Sequence, residues 1–143
     1  MESGKEQYPK VYLYRRIVQA KLFIEVSYNK EIDLSKIADE AFFSKFHFMR
    51  LFKSTYGKTP HQFLTQVRIN KAQELLQNDS IKVGDVCFAV GFDSISSFTG
   101  LFKRLVGVTP SAYQLQQRLR RDAIKKEPLN FVPGCFSEKA GWK

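Results

Sequence analysis

The chain has 143 residues, enough for one domain or two very small ones, and at that length folding hides roughly 68–70% of the unfolded surface, so neither disulfides nor a metal is needed to hold a core. Apolar residues make up 43% and charged residues 26%, the profile of an ordinary globular chain rather than a disordered or membrane-spanning one. Lys and Arg number 23 against 14 Asp and Glu, a net charge of +9 that suits an acidic partner, nucleic acid above all, and the length argues against a large cofactor enzyme.

Helical spacing runs through nearly the whole chain. Between Val11 and Tyr28 the apolar residues Val11, Leu13, Tyr14, Ile17, Val18, Leu22, Ile24 and Val26 recur mostly at helical intervals, with charges expected in the remaining positions. Pro9 is suited to start this helix, and Asn29-Lys30 forms a polar turn. A short helix is expected at Leu34–Ala38 with Asp33 as N-cap, and Ser44 is the N-cap of the next, whose apolar side is Phe48, Leu51, Phe52 and Tyr56 and whose stop is Gly57. Pro60 opens a long helix carried by Phe63, Leu64, Val67, Ala72, Leu75 and Leu76 as far as Asn78-Asp79. The pattern then starts again: a short helix from Val83 to Ala89, a turn at Gly91, a helix capped by Ser94 with Phe98, Leu101, Phe102 and Leu105, a stop at Gly107, and a last helix from Pro110 through Tyr113 and Leu115. From Gln116 the chain turns basic, with Arg118, Arg120, Arg121, Lys125 and Lys126 reading as an exposed helix end. Residues 128–143 have no visible period and read as a peptide packed on the body or a disordered end.

The second half repeats the first at an offset of 50. Ser44 aligns with Ser94, Phe48 with Phe98, Leu51-Phe52-Lys53 with Leu101-Phe102-Lys103, Gly57 with Gly107, Thr59-Pro60 with Thr109-Pro110, and Phe63 with Tyr113. Upstream of the caps the offset slips to 49, pairing Ile37-Ala38 with Val86-Cys87. A duplicated supersecondary unit follows, and each copy (short helix, tight turn, capped helix) is a helix-turn-helix. The DNA major groove, about 12 Å wide, admits one helix, whose N-terminal residues reach base edges. The outer face of the first such helix carries Lys45, Phe46, His47, Met49, Arg50 and Lys53, and that of the second carries Ile95, Ser96, Thr99, Gly100, Lys103 and Arg104.

These motifs resemble the AraC/XylS family of bacterial transcription regulators. The likeness rests on Ser44-x-x-x-Phe48-x-Arg50-Leu51-Phe52-Lys53, Gly57-x-Thr59-Pro60, Arg68-Ile69-x-x-Ala72-x-x-Leu75-Leu76, Val83-x-x-Val86-x-x-x-x-Gly91-Phe92, and Gly107-Val108-Thr109-Pro110 with Tyr113, and it covers about residues 11–115. It implies an all-α, seven-helix fold of two three-helix subdomains joined by the helix from Pro60, with both recognition helices set into successive major grooves. The boundaries expected are a lead-in 1–10, a first subdomain 11–58, a linker helix 59–79, a second subdomain 80–122 and a tail 123–143. By position the family's base-contacting residues fall on Phe46, Met49 and Arg50, and on Ile95, Ser96, Thr99 and Gly100; the full DNA-binding set expected here adds Ser44, Lys45, His47 and Lys53 in the first unit and Ser94, Lys103 and Arg104 in the second. Three positions depart from the family pattern: Gly100 stands where an Arg is common, Ile95 where a polar reader is frequent, and Phe42 where the first turn usually has Gly.

Several residues have a plainer reading beside the functional one. Phe48, Leu51, Phe52, Phe98, Leu101 and Phe102 are core. Lys53, Lys103 and Arg104 are phosphate contacts or a solvated face, and Arg50 is a base or phosphate contact. Phe46 either packs on the first helix or touches a thymine methyl or sugar. His47 and His61 are too isolated for a metal site, and Cys87, where the repeat has Ala38, is a small core residue. Cys87 and Cys135, 48 residues apart, form neither a zinc knuckle nor a redox pair, so a reducing cytoplasm is expected. The lead-in MESGKEQYPK lacks a signal-peptide apolar core, and Arg15, Arg16, Lys21 and Glu25 break the longest apolar stretches, so no membrane span is expected. There is no Gly-rich phosphate loop, metal-ligand spacing or nucleophile–base signature, so neither catalysis nor a cofactor is expected. The function expected is a sequence-specific double-stranded DNA-binding transcription regulator of the bacterial nucleoid, contacting RNA polymerase, for which a monomer suffices. The alternatives are a weakly specific architectural module and the DNA-binding piece of a longer effector-responsive regulator; the initial Met and native-looking lead-in favour a stand-alone form.

Overall fold

The computed structural model describes residues 10–33 and 45–126. Among these residues the regular elements are all helical: α1 (Lys10–Ser27), α2 (Lys45–Tyr56), α3 (Pro60–Leu75), α4 (Val83–Ala89), α5 (Ile95–Val106) and α6 (Pro110–Lys126). The all-α class is as expected. The short helix at Leu34–Ala38, which completes the expected seven, lies outside the described residues, as do Pro9, Phe42, the Ser44 cap and residues 127–143.

Two apolar cores sit side by side. In the first, Ile17, Ala20 and Ile24 of α1 meet Phe48 and Phe52 of α2 and Leu64 of α3. In the second, Ile69 and Ala72 of α3 and Leu76 just beyond it meet Val86, Cys87 and Val90 around α4 and Phe98 and Phe102 of α5. α3 therefore divides along its length, its first half serving one core and its second half the other. Tyr28 packs at the edge of both. Each core is built around an aromatic chain: Phe48–Phe52–Phe63 has ring centroids 6.1 and 5.7 Å apart, and Phe98–Phe102–Tyr113 repeats it at 5.8 and 5.6 Å. Such tilted and edge-on pairs add to the apolar burial of the rings.

The corner after each reading helix is duplicated as well. Gly57 (φ 77°) and Gly107 (φ 102°) take the left-handed conformation that side chains resist, and their N–H groups donate to Lys53 O at 2.7 Å and Lys103 O at 2.8 Å. A Thr then caps the following helix and a buried Pro occupies its first position. Thr59 forms a full capping box: its Oγ1 accepts from Gln62 N at 3.2 Å while its own N–H donates to Gln62 Oε1 at 3.0 Å. Thr109 caps through its hydroxyl, which accepts from Ala112 N at 3.2 Å.

Three expectations need correction. Charges do not take all the positions of α1 outside the apolar run, since Ala20 is buried in the first core and Phe23 is 46% exposed, and within the run Val11 (70% exposed), Leu22 and Val26 (78%) form a second apolar line on the solvent side. α3 ends at Leu75, short of Asn78-Asp79, because Asn78 Oδ1 accepts from Ser80 N (3.0 Å) and Ser80 Oγ (2.7 Å), a side-chain turn that competes with helix. The basic run is a helix end as expected, α6 continuing to Lys126, but it is not only an exposed end: Arg121 donates to Gln77 O and pairs with Asp79 at 3.6 Å. Gln114 Nε2 donates to Asn78 O at 3.1 Å and Ile81 O at 2.7 Å, so α6 also holds the turn between α3 and α4.

Candidate nucleic-acid interface

The second helix-turn-helix is described throughout. α4 stops in a Schellman arrangement: Gly91, at φ 104°, donates to Phe88 O at 3.1 Å, and the next residue, Phe92, donates to Cys87 O at 3.1 Å. Phe92 then packs its ring 5.3 Å from Phe98 in the core. Ser94 restarts the chain as a helix, its hydroxyl accepting from Ser97 N at 3.3 Å. Ser94 is thereby engaged as the cap of α5. Ile95, 47% exposed, rests its Cδ1 over Gly84 of α4, 3.5 Å from the position a Cβ there would take. The side chain is thus part of the α4–α5 contact as well as part of the outer surface.

Beyond the cap, α5 presents Ser96, Gly100, Lys103 and Arg104 to solvent, with Thr99 half-buried beside them. Nothing lies within 4 Å of where a Gly100 Cβ would stand. α2 presents Phe46, Arg50 and Lys53 one helical turn apart, and His47 is also exposed. Phe46 is 77% exposed, so its ring does not pack on the first helix. Met49 is half-buried beside them and packs against the first core. Ser44 and the side chain of Lys45 lie outside the described residues. The structure therefore brings Phe46, Arg50 and Lys53 onto one exposed stripe and Ile95, Ser96, Gly100 and Lys103 onto its counterpart.

Between the two units is an open cleft of about 440 Å³ that places Lys58 and His61 of the first corner on the same cavity as Arg104 of α5. Nothing in the sequence pattern singles out Lys58 for this surface, since no periodicity joins a turn residue to a helix 46 residues later. Arg68 stands in the sequence as one letter of a motif, although a cation between Val67 and Ile69 is a signal of its own. Among the described residues no group of three or more His, Cys, Asp or Glu stands together as a metal site, and no helix is long and apolar enough to cross a membrane.

Comparison with known proteins agrees with this architecture. The family described as helix-turn-helix domain matches residues 37–116. The transcriptional activator AarP of Providencia stuartii is 30% identical over 112 residues, 78% of this chain and 83% of that protein. LumQ of Photobacterium leiognathi, named as a probable transcriptional regulator, is 36% identical over 92 residues, 64% of this chain but 37% of LumQ, so the chain spans little more than a third of that relative's length. Among solved structures, the DNA-binding domain of the global transcriptional factor AdpA, determined in complex with a target DNA, superposes with a TM-score of 0.64 at 31% identity, covering 77% of this chain and 96% of that one.

Proposed function

Because the chain belongs to the AraC/XylS family of helix-turn-helix transcription regulators, we propose that it binds double-stranded DNA with α2 and α5 in successive major grooves and regulates transcription from there. The observation that carries this reading is the duplicated reading helix. Two helices with the same frame stand on two cores that share one helix, and the DNA-binding domain of AdpA was solved on its target DNA. α3, at 16 residues, is about 24 Å long at 1.5 Å per residue, and successive grooves lie roughly 34 Å apart. With the width of the two units added, one chain spans the two grooves, and a monomer suffices.

Arg50 is the base reader of the first unit, assisted by Phe46, with Met49 behind them. Lys53, Lys103 and Arg104 neutralise phosphates. In the second unit Ile95, Ser96, Thr99 and Gly100 face the groove, with Ser94 capping α5 at the DNA surface, and Ser44, Lys45 and His47 are further DNA contacts of the first unit. The units divide at 11–58 and 80–122, with 59–79 between them. The chain acts in the cytoplasm, on the nucleoid, and communicates with RNA polymerase. A second reading is favoured by Gly100, whose open outer face carries no side chain: the second unit then follows backbone shape, and overall specificity is low.

The test is fluorescence anisotropy with a site selected from random duplexes and a scrambled control, across a salt series. A selected site of about 15–20 base pairs bound at least ~10³-fold more tightly than the control supports the first reading. Equal binding to all duplexes, with affinity set by salt alone, supports the second.

A further inference from the structure

The two reading helices stand on separate cores, and their relative placement depends on what joins those cores. α3 is shared and Tyr28 packs at the edge of both cores, but non-directional packing leaves each unit room to rock about the helix. One polar side chain closes the joint. Arg68, midway along α3, donates from Nε to Tyr28 O at 2.7 Å and from Nη2 to Lys30 O at 3.1 Å, the two carbonyls of the turn that ends α1 in the first unit. The other side of the same guanidinium lies over the Phe92 ring, with Cζ 5.6 Å from the ring centroid, and Asp93 follows directly. Phe92 and Asp93 belong to the turn of the second helix-turn-helix, immediately before the Ser94 cap of α5.

The second turn is shaped to receive this side chain. A Cβ at Gly91 would stand 2.8 Å from Tyr28 O and 2.9 Å from Arg68 Nε, distances that real side chains do not reach. Gly91 therefore serves two ends: it supplies the left-handed turn and lets the first unit's carbonyl and the guanidinium approach the backbone of the second. Burial pushes the Arg68 pKa down and the Asp93 carboxylate pushes it up, and an arginine stays protonated throughout the working range. The repeat supplies an internal control. Arg118, 50 residues on, occupies the equivalent place in the second unit and lies exposed on α6.

We propose that Arg68 is the positioning residue that locks the two units into one rigid reader and so sets the spacing and rotational phase of the two half-sites. This rests on the DNA-reading function proposed above. A planar fork suits this role, because it holds two carbonyls in fixed directions while stacking on a ring, which a lysine ammonium does not do. Adding two base pairs between half-sites turns one against the other by about 70°, from about 10.5 base pairs per turn. A rigid reader loses the second half-site under that rotation, whereas a loose one keeps part of it.

Two measurements test the proposal on the full chain. The first needs no DNA. Spin labels at Lys53→Cys and Lys103→Cys, in a Cys135→Ser background, report the distance between the reading helices by pulsed dipolar spectroscopy. A single narrow distribution is expected in the parent, a broad one in Arg68→Met, an intermediate one in Arg68→Lys, and no change in Arg118→Met. The second compares affinity for the selected site, for the same site with two base pairs inserted, and for one half-site alone. The parent is expected to lose at least ~10²-fold on insertion, and Arg68→Met less than ~10-fold, with half-site affinity unchanged. Gly91→Ala attacks the same joint from the other side and is expected to act like Arg68→Met. Equally narrow distances in folded Arg68→Met and parent overturn the proposal whatever the DNA results. So does a broad distribution with an unaltered insertion penalty. A parent with no preferred site defeats the DNA-reading function, and with it the phasing role, while the distance distributions still decide whether Arg68 locks the joint.

Discussion

α2 and α5 share a frame almost residue for residue and differ in what they show to solvent. Phe48 and Phe98, then Phe52 and Phe102, are buried with near-equal ring spacings, and Gly57 and Gly107 end the two helices with the same hydrogen bond to a lysine carbonyl. On the outside, Phe46 and Arg50 of α2 correspond to Ser96 and Gly100 of α5 across the repeat. Packing fixes the inner residues of both copies, because a helix on a close-packed core has little latitude. The outer residues answer to a ligand and are free to diverge. Like frames with unlike faces fit two reading heads meant for different half-sites, and substitutions on either side of that contrast should behave differently.

The largest effects belong to the shared frame. Phe52→Ala and Phe102→Ala should each cost about 3–5 kcal/mol, the usual penalty for an aromatic removed from a packed core. Because α3 lines both cores, both variants should still unfold in one urea transition followed by circular dichroism. Two separate transitions would show that the units fold independently and that α3 does not couple them.

On the outer face the expected effects are unequal between copies. Arg50→Ala should weaken binding to the selected site by about 1–3 kcal/mol and relax preference at one or two base pairs. Equal loss on every sequence would instead make Arg50 a phosphate contact. Gly100→Ala should leave affinity nearly unchanged and raise stability by about 0.4–1 kcal/mol, since the position is helical and nothing lies within 4 Å of the added Cβ. A strong loss of affinity in Gly100→Ala, measured by anisotropy beside thermal melting, would show that DNA backbone approaches α5 at this glycine.

Smaller still is the difference between the two corners. Thr59→Ala removes both halves of a capping box and Thr109→Ala removes a single cap. Losses of about 1 kcal/mol or more and about 0.5 kcal/mol are expected from chemical unfolding. Equal losses would mean that the return bond from Gln62 adds nothing to α3.

What was legible in the sequence follows the same contrast. The frame was visible because it is periodic and duplicated: the capping Ser94, the stops at Gly57 and Gly107, and the starts at Pro60 and Pro110 stand where local chemistry puts them. The exposed apolar line of α1 was not, since Val11, Leu22 and Val26 have helical spacing like the core residues and only tertiary packing decides which face is covered. The share of Met49 in the first core was hidden for the same reason, since its place in the repeat puts it beside the reading face. The basic run was legible as a helix end, but its use was not, since Arg121 meets Asp79 and the Gln77 carbonyl, 42 and 44 residues away in the chain. Arg68 was hidden most thoroughly, because its meaning lies in the other unit.

The smallest expected effect concerns Cys87, a buried thiol of the second core. Cys87 is fully buried, and burial pushes its thiol pKa upward, with the Asp93 carboxylate adding to the rise. The folded chain therefore keeps this proton at a pH where the unfolded chain has released it. The thiol's contribution to stability is whole below the ordinary thiol pKa and is lost as pH climbs past that value toward the raised one. In a Cys135→Ser background, melting temperatures from neutral pH to about pH 10 should fall more steeply for the parent than for Cys87→Ala. At neutral pH the alanine variant should melt slightly lower, for the loss of one packed sulfur atom, and the two curves should converge on the alkaline side. Parallel curves would show that the Cys87 thiol ionises alike in folded and unfolded chains, and that it serves the second core by its volume alone.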